Sequence, residues 1–149
     1  MKVSGGLAVV PGTYALLVYV PYDLSLSVGK LGTVNFKRGY YVYIGSALGG
    51  ISARVRRHLR GEKKVHWHID HLLLHARAID VVAARGKVRK ECAVSAELAK
   101  HLPSIKGFGS SDCECDSHLF YSPDIDELRR VVFEGFKECG AKIFTIDDI

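Results

Sequence analysis

The sequence predicts an α+β fold: a small, largely antiparallel central sheet flanked by helices, with a C-terminal strand-helix-strand extension. Three observations predict it. Runs of β-branched and aromatic residues are mixed with stretches of helical apolar period, without the strict βαβ repeat of a parallel sheet. Two strand-like runs are separated by only Lys37, Arg38 and Gly39, the spacing of a hairpin. A chain of 149 residues with 48% hydrophobic content can bury one real core, so residues 1–149 are read as a single domain.

Residues 14–20, bounded by Pro11, Gly12 and Pro21, read as a buried strand. Residues 33–36 and 40–44 form the expected hairpin. After a small-residue loop at 46–50, Ile51, Val55 and Leu59 recur every four residues and mark an amphipathic helix that ends near Gly61. A second helix is expected over 66–76, with Ile69, Leu72, Leu73 and Ala76 on its apolar face. A strand at 79–84 and a helix at 91–101 follow. Past a glycine-rich loop at 107–111, a short strand is expected at 118–121. Ser122 as cap with Pro123 at the first helical position then starts a helix that Gly140 closes, and 142–146 is the last strand.

Twenty-one Lys and Arg against 16 Asp and Glu give a formal charge of +5, which favours an anionic partner. The amino terminus lacks the apolar run of a signal peptide and no stretch reaches membrane-spanning length, so a soluble, cytoplasmic protein is expected. The sequence sets no oligomeric state. Four cysteines, Cys92, Cys113, Cys115 and Cys139, in such a chain suggest a reduced compartment rather than a disulfide framework. Cys113, Cys115, His118 and Cys92 can be written as a zinc set, but buried free thiols are the preferred reading, because the C-x-C spacing is tighter than a usual zinc knuckle.

Tyr41, Tyr43 and Gly45 alternate on one strand and therefore share a face, where a glycine leaves room for a sugar-phosphate backbone. If Tyr14 on the neighbouring strand faces the same way, two phenols meet, and a lowered pKa would make one a general base. Helical phase places Arg54 and His58 beside the stripe of Ile51, Val55 and Leu59, aimed at that spot. Arg56, Arg57 and Arg60 point to solvent, where with Lys63 and Lys64 they either track flanking phosphates or form a solvated face. His68, His71 and His75 fall within a narrow arc of the second helix, and a polar face is preferred there to a metal site.

Gly12, Thr13 and Tyr14 on the first strand, Tyr43, Ile44 and Gly45 ending a later one, and the Arg-rich helix directly after them resemble the GIY-YIG nuclease superfamily over about residues 12–101. The segment 41–49, the run His66, Trp67, His68, Ile69 and Asp70, and the segment 107–113 resemble an uncharacterised prokaryotic branch of it. The extension, residues 102–149, lies beyond the superfamily core. The resemblance implies a metal-dependent endonuclease cutting phosphodiester bonds in DNA, with Tyr14, Tyr43, Arg54 and His58 catalytic. Gly45, Ser46, Arg56, Arg57, Arg60, Lys63 and Lys64 would bind the nucleic acid. A single carboxylate from the later helix would hold Mg²⁺ or Mn²⁺, Glu91 being preferred to Glu97. The alternatives are a module that keeps the groove without cutting and a thiolate enzyme built on Cys113, Cys115 and His118. Three departures stand out: Thr13 for the usual isoleucine, Ser46 where repair relatives carry lysine, and the 28 residues from 15 to 42 between the tripeptides, long enough for an extra hairpin.

Overall fold

In a computed structural model, which describes residues 9–61, 63–110 and 115–144, the chain is an α+β sandwich. The elements run β1 (Gly12–Val20), β2 (Leu24–Ser27), a single 3₁₀ turn (Gly29–Leu31), β3 (Thr33–Phe36), β4 (Gly39–Ala47), α1 (Ile51–Leu59) and α2 (His68–Leu73). Then follow β5 (Arg77–Arg85), α3 (Glu91–Ala99), β6 (Leu119–Ser122), α4 (Ile125–Glu138) and β7 (Lys142–Phe144). The main sheet has the order β6-β4-β1-β5-β7, and every pairing in it is antiparallel. The strand-helix-strand extension supplies both edges of that sheet. Among the described residues no helix is long and apolar enough to cross a membrane.

Strand β1 lies at the centre because it is apolar on both faces, a pattern that only an interior strand can bury. Its alternation sorts the core into two layers. Ala15 and Leu17 pack with Val42 and Ile44 against α3 and α4, through Val94, Leu98, Leu128, Val132 and Phe136. Tyr14, Leu16 and Val18 face the opposite way, towards α1, α2 and the β2-β3 hairpin, through Val55, Ile69, Leu72 and Phe36.

Several sequence expectations are corrected. The 33–36 strand pairs with β2 in a separate two-stranded sheet, not with β4, whose neighbours are β1 and β6. The 28 residues from 15 to 42 thus carry a separate hairpin. The second helix closes at Leu73, three residues short of Ala76, so His75 lies beyond it and the three histidines share no helical arc. Leu59 is exposed, and His58 takes its place on the buried stripe of α1. Helix α4 is capped by Asp124, whose side chain accepts the Asp126 N–H, and Pro123 precedes the cap. Ser122 instead bonds the Glu127 carboxylate. The last strand is described only to Phe144.

Candidate functional site

Strand β4 outruns its edge partner. Its last registered pair with β6 is Tyr43↔Leu119, so Ile44, Gly45 and Ser46 emerge past the end of β6. At that open end lies a cleft of about 570 Å³, lined among others by Tyr43, Gly45, Ser46, Arg54, Trp67 and Glu91. Both faces of the sheet reach it: Tyr43 and Gly45 from the α1 side, Ser46 and Glu91 from the α3 side.

The two tyrosines do meet, with ring centroids 6.4 Å apart, but their settings differ. Tyr43 is only half-buried and lines the cleft. Tyr14 is fully buried beneath it, and its hydroxyl lies 2.7 Å from His58 Nε2. Burial first, then the neighbouring Tyr43, push the Tyr14 phenol well above its ordinary pKa, and Arg54 offsets only part of the rise. The expectation of a lowered pKa at Tyr14 is therefore corrected: a phenolate there would lose its hydration with no adequate counter-charge. His58 is buried too, and burial drives its pKa down to about 3, so at neutral pH it is an uncharged partner of Tyr14. It stands behind Tyr14 and does not line the cleft.

Gly45 also answers to a packing requirement. Tyr14 is its cross-strand partner, and a Cβ at Gly45 would stand 2.6 Å from the Tyr14 hydroxyl oxygen and 2.7 Å from the ring. The absent side chain makes room for the Tyr14 ring.

Arg54 reaches the cleft as its helical phase predicts, where Nη1 donates to the Ser46 carbonyl at 3.1 Å. Its guanidinium carbon lies 4.6 Å from the Trp67 ring centre, and that of Arg57 lies 4.1 Å from it. Arg57 is not a free solvent-facing cation. It makes two bonds to Asp70, at 2.8 and 2.9 Å. Asp70 is fully buried and also accepts the His66 and Trp67 backbone N–H groups at the start of α2. Burial alone would raise the Asp70 pKa, but Arg57 and the two N–H groups outweigh it and hold the carboxyl at about 2. Lys63 turns inward to the carbonyls of His58 and Arg60 at the end of α1. Arg56, Arg60 and Lys64 remain exposed.

Glu91 opens α3 at the far wall. Its carboxylate accepts a hydrogen bond from Ser46, which itself lies 3.2 Å from the Thr13 hydroxyl, and Arg89 is 3.9 Å away. Thr13 and Ser46 thus form one polar ladder that ends on Glu91. Glu97 lies outside the cleft and pairs with Lys100 at 2.9 Å. A carboxylate backed by a hydroxyl is an all-oxygen donor set, which fits a hard divalent cation.

No role for Trp67, Asp70 or Arg89 is expected from the sequence, and His118 is expected only in the thiol cluster, yet it too lines the cleft. The first two stand in the run from His66 to Asp70, a signal visible in the sequence whose geometry was not. His68 is half-buried rather than exposed, and its Nδ1 accepts the Gly109 N–H at 2.8 Å, which fastens α2 to the loop bordering the cleft. The expectation of free thiols is also corrected, since Cys92 and Cys115 are joined in a disulfide and among the described residues only Cys139 is free. Cys113 lies outside the described residues.

No curated protein and no solved structure matches the chain. One family profile does, over residues 13–141, and that span holds nearly all of the sheet and every cleft residue named above. The chain belongs to the family described as Domain of unknown function DUF123.

Proposed function

We propose that this chain is a metal-dependent endonuclease of the GIY-YIG type that hydrolyses phosphodiester bonds in DNA. One observation carries the reading: Tyr43 from β4, Arg54 from α1 and Glu91 from α3 converge on a single cleft, with Tyr14 of β1 directly behind. These are the residue types that the resemblance assigns to water activation, charge stabilisation and metal binding.

Tyr43 is the phenol within reach of an attacking water, and the neutral Tyr14–His58 pair holds its position from below. Arg54 stacks on Trp67 and is therefore pre-oriented, which lets its guanidinium meet charge developing on the phosphate without first losing side-chain freedom. Glu91 and Ser46 would hold Mg²⁺ or Mn²⁺, which supplies neutralisation of the phosphate charge. Arg89 and the exposed Arg56, Arg60 and Lys64 offer contacts for flanking phosphates, so binding should weaken steeply with salt.

The test is a panel of labelled duplex, flap and single-stranded DNA and of RNA, with and without Mg²⁺, run on wild type, Glu91→Gln and Arg56→Ala. Cleavage of DNA that requires Mg²⁺, falls by about 100-fold or more in Glu91→Gln and only a few-fold in Arg56→Ala, is the expected result. Salt-sensitive binding without any cleavage would replace this reading with a non-cleaving module. Neither binding nor cleavage overturns both.

A further inference from the structure

We propose that Cys92, Cys115 and His118, once the two cysteines are in the dithiol state, form a zinc site beside the Glu91 carboxylate, His118 lining the cleft that Glu91 also lines. One ligand atom from each of the three residues lies within 4.8 Å of the other two. Cys92 sits in the first turn of α3, whereas Cys115 and His118 precede β6, so a metal would tie the helix to the sheet edge.

The imidazole is already set for coordination. The buried Ser95 hydroxyl lies 2.8 Å from His118 Nδ1, and Cys92 Sγ lies 4.0 Å from Nε2. With Ser95 accepting from Nδ1–H, the lone pair sits on Nε2 and points towards the sulfurs, the arrangement in which a second polar group orients a metal-bound histidine. Burial also lowers the His118 pKa, which favours the neutral ring that a metal needs. Two thiolates and one imidazole are soft and borderline donors that select zinc over magnesium, unlike the oxygens of Glu91 and Ser46. Tetrahedral bonds of about 2.3 Å to sulfur require the two sulfurs to stand roughly 3.7 Å apart. The 5.9 Å between the Cys92 and Cys115 Cα atoms lets side-chain rotation supply that spacing after the disulfide opens. A cleft lined by Cys92, Ser95, Ser104 and Cys115 gives entry from solvent.

The disulfide and the metal are mutually exclusive. A dithiol reductant transfers two electrons and two protons to the Cys92–Cys115 bond, leaving two thiols and its own disulfide. Zinc then displaces both thiol protons, forming two S–Zn bonds and one N–Zn bond, with solvent in the fourth position.

The test uses the full chain, reduced with a dithiol and freed of it under argon, then titrated with Co²⁺ and, against a chromophoric chelator, with Zn²⁺. One equivalent per chain, a thiolate-to-cobalt charge-transfer band and a zinc dissociation constant below about 1 µM are expected, with no competition from excess Mg²⁺. Cys92→Ser and Cys115→Ser should each weaken zinc by about 100-fold and Ser95→Ala by about 10-fold, while Cys139→Ser leaves it unchanged. The unreduced chain should not bind. No charge-transfer band in the reduced wild type, a band that survives Cys92→Ser, or equal loss in Cys139→Ser overturns the proposal. If the cysteine variants do not fold, the wild-type spectrum and Ser95→Ala decide it. No nucleic acid enters the measurement, so its outcome is independent of whether the chain cuts DNA.

Discussion

The two faces of the central sheet are built on opposite plans. Against α3 and α4, the buried layer is aliphatic and aromatic at its centre, through Ala15, Leu17, Ile44, Leu98, Leu128, Val132 and Phe136, and turns polar only towards the cleft, where Thr13, Ser46, Ser95 and His118 are buried. Against α1 and α2, an equally buried layer contains Tyr14, His58 and Asp70, each tied into a hydrogen bond or ion pair. Buried polar groups contribute little net stability, because their desolvation cost offsets most of what their pairing gains. The difference teaches where to look for function. The apolar centre of the α3–α4 layer holds the fold together, whereas the polar centre of the α1–α2 layer fixes the groups beneath Tyr43 and Arg54 at some cost to stability.

The sharpest way to break this comparison is to damage the aliphatic layer. Phe136 is fully buried there, and Phe136→Ala should cost roughly 3–5 kcal/mol in urea unfolding. A loss under about 1 kcal/mol would mean that the α3–α4 layer is not the main source of stability.

On the other face, Asp70→Ala strands Arg57 and two backbone N–H groups. Arg57 keeps 20% of its side chain exposed and can recover water, so about 2–3 kcal/mol is expected, below the loss for a fully buried pair. Trp67 is the only tryptophan and lies against both arginines, so its fluorescence should shift even under native conditions. An unchanged emission spectrum would show that Asp70 does not hold the Trp67 platform.

Gly45→Ala places a methyl group against the Tyr14 hydroxyl and should cost about 1–3 kcal/mol through overpacking. Stability equal to wild type would show that the Tyr14 ring is free to move and that the register at this pair is loose.

The last expected effect is a slope, small per pH unit. Unfolded His58 takes a proton near pH 6.5, but folded His58 does so only near pH 3. Between these values the unfolded state holds one more proton, so stability falls as pH falls, by up to about 1.4 kcal/mol per pH unit. Burial lowers the pKa of His68 and His118 as well, which adds in the same direction. Asp70 adds its own term lower down, since the stability from its depressed pKa is present above about pH 4 and is lost as pH falls towards 2. His58→Gln should flatten the slope between pH 6 and 4 by nearly one proton. An identical slope in the variant would place the titration elsewhere.

Much of the fold was legible because its long elements carry strong periods. β1, β4 and α1 are readable from apolar spacing, and α4 from the turn signals that bound it, although its cap is Asp124 and not Ser122. β2 was not, since Leu24, Ser25, Leu26 and Ser27 make too short an alternation to stand out, and without β2 the 33–36 strand was given to the wrong partner. α2 reads as longer than it is because Ala76 continues the apolar phase past the point where the backbone leaves the helix.

In the candidate site, Tyr14, Tyr43 and Arg54 could be chosen from strand alternation and helical phase, local rules that order residues on a face, whereas Glu91 followed only from the resemblance. What each does there could not be chosen. The burial that raises the Tyr14 pKa, the 13-residue reach from Arg57 to Asp70 and the 23-residue reach from Cys92 to Cys115 depend on how separate elements pack. The sequence by itself determined which faces turn inward and which residue types arrive at the end of β4. Only the tertiary structure decided which of them meet water and which lose it, because desolvation and pairing are properties of the assembled surroundings and not of the residue or its neighbours in the chain.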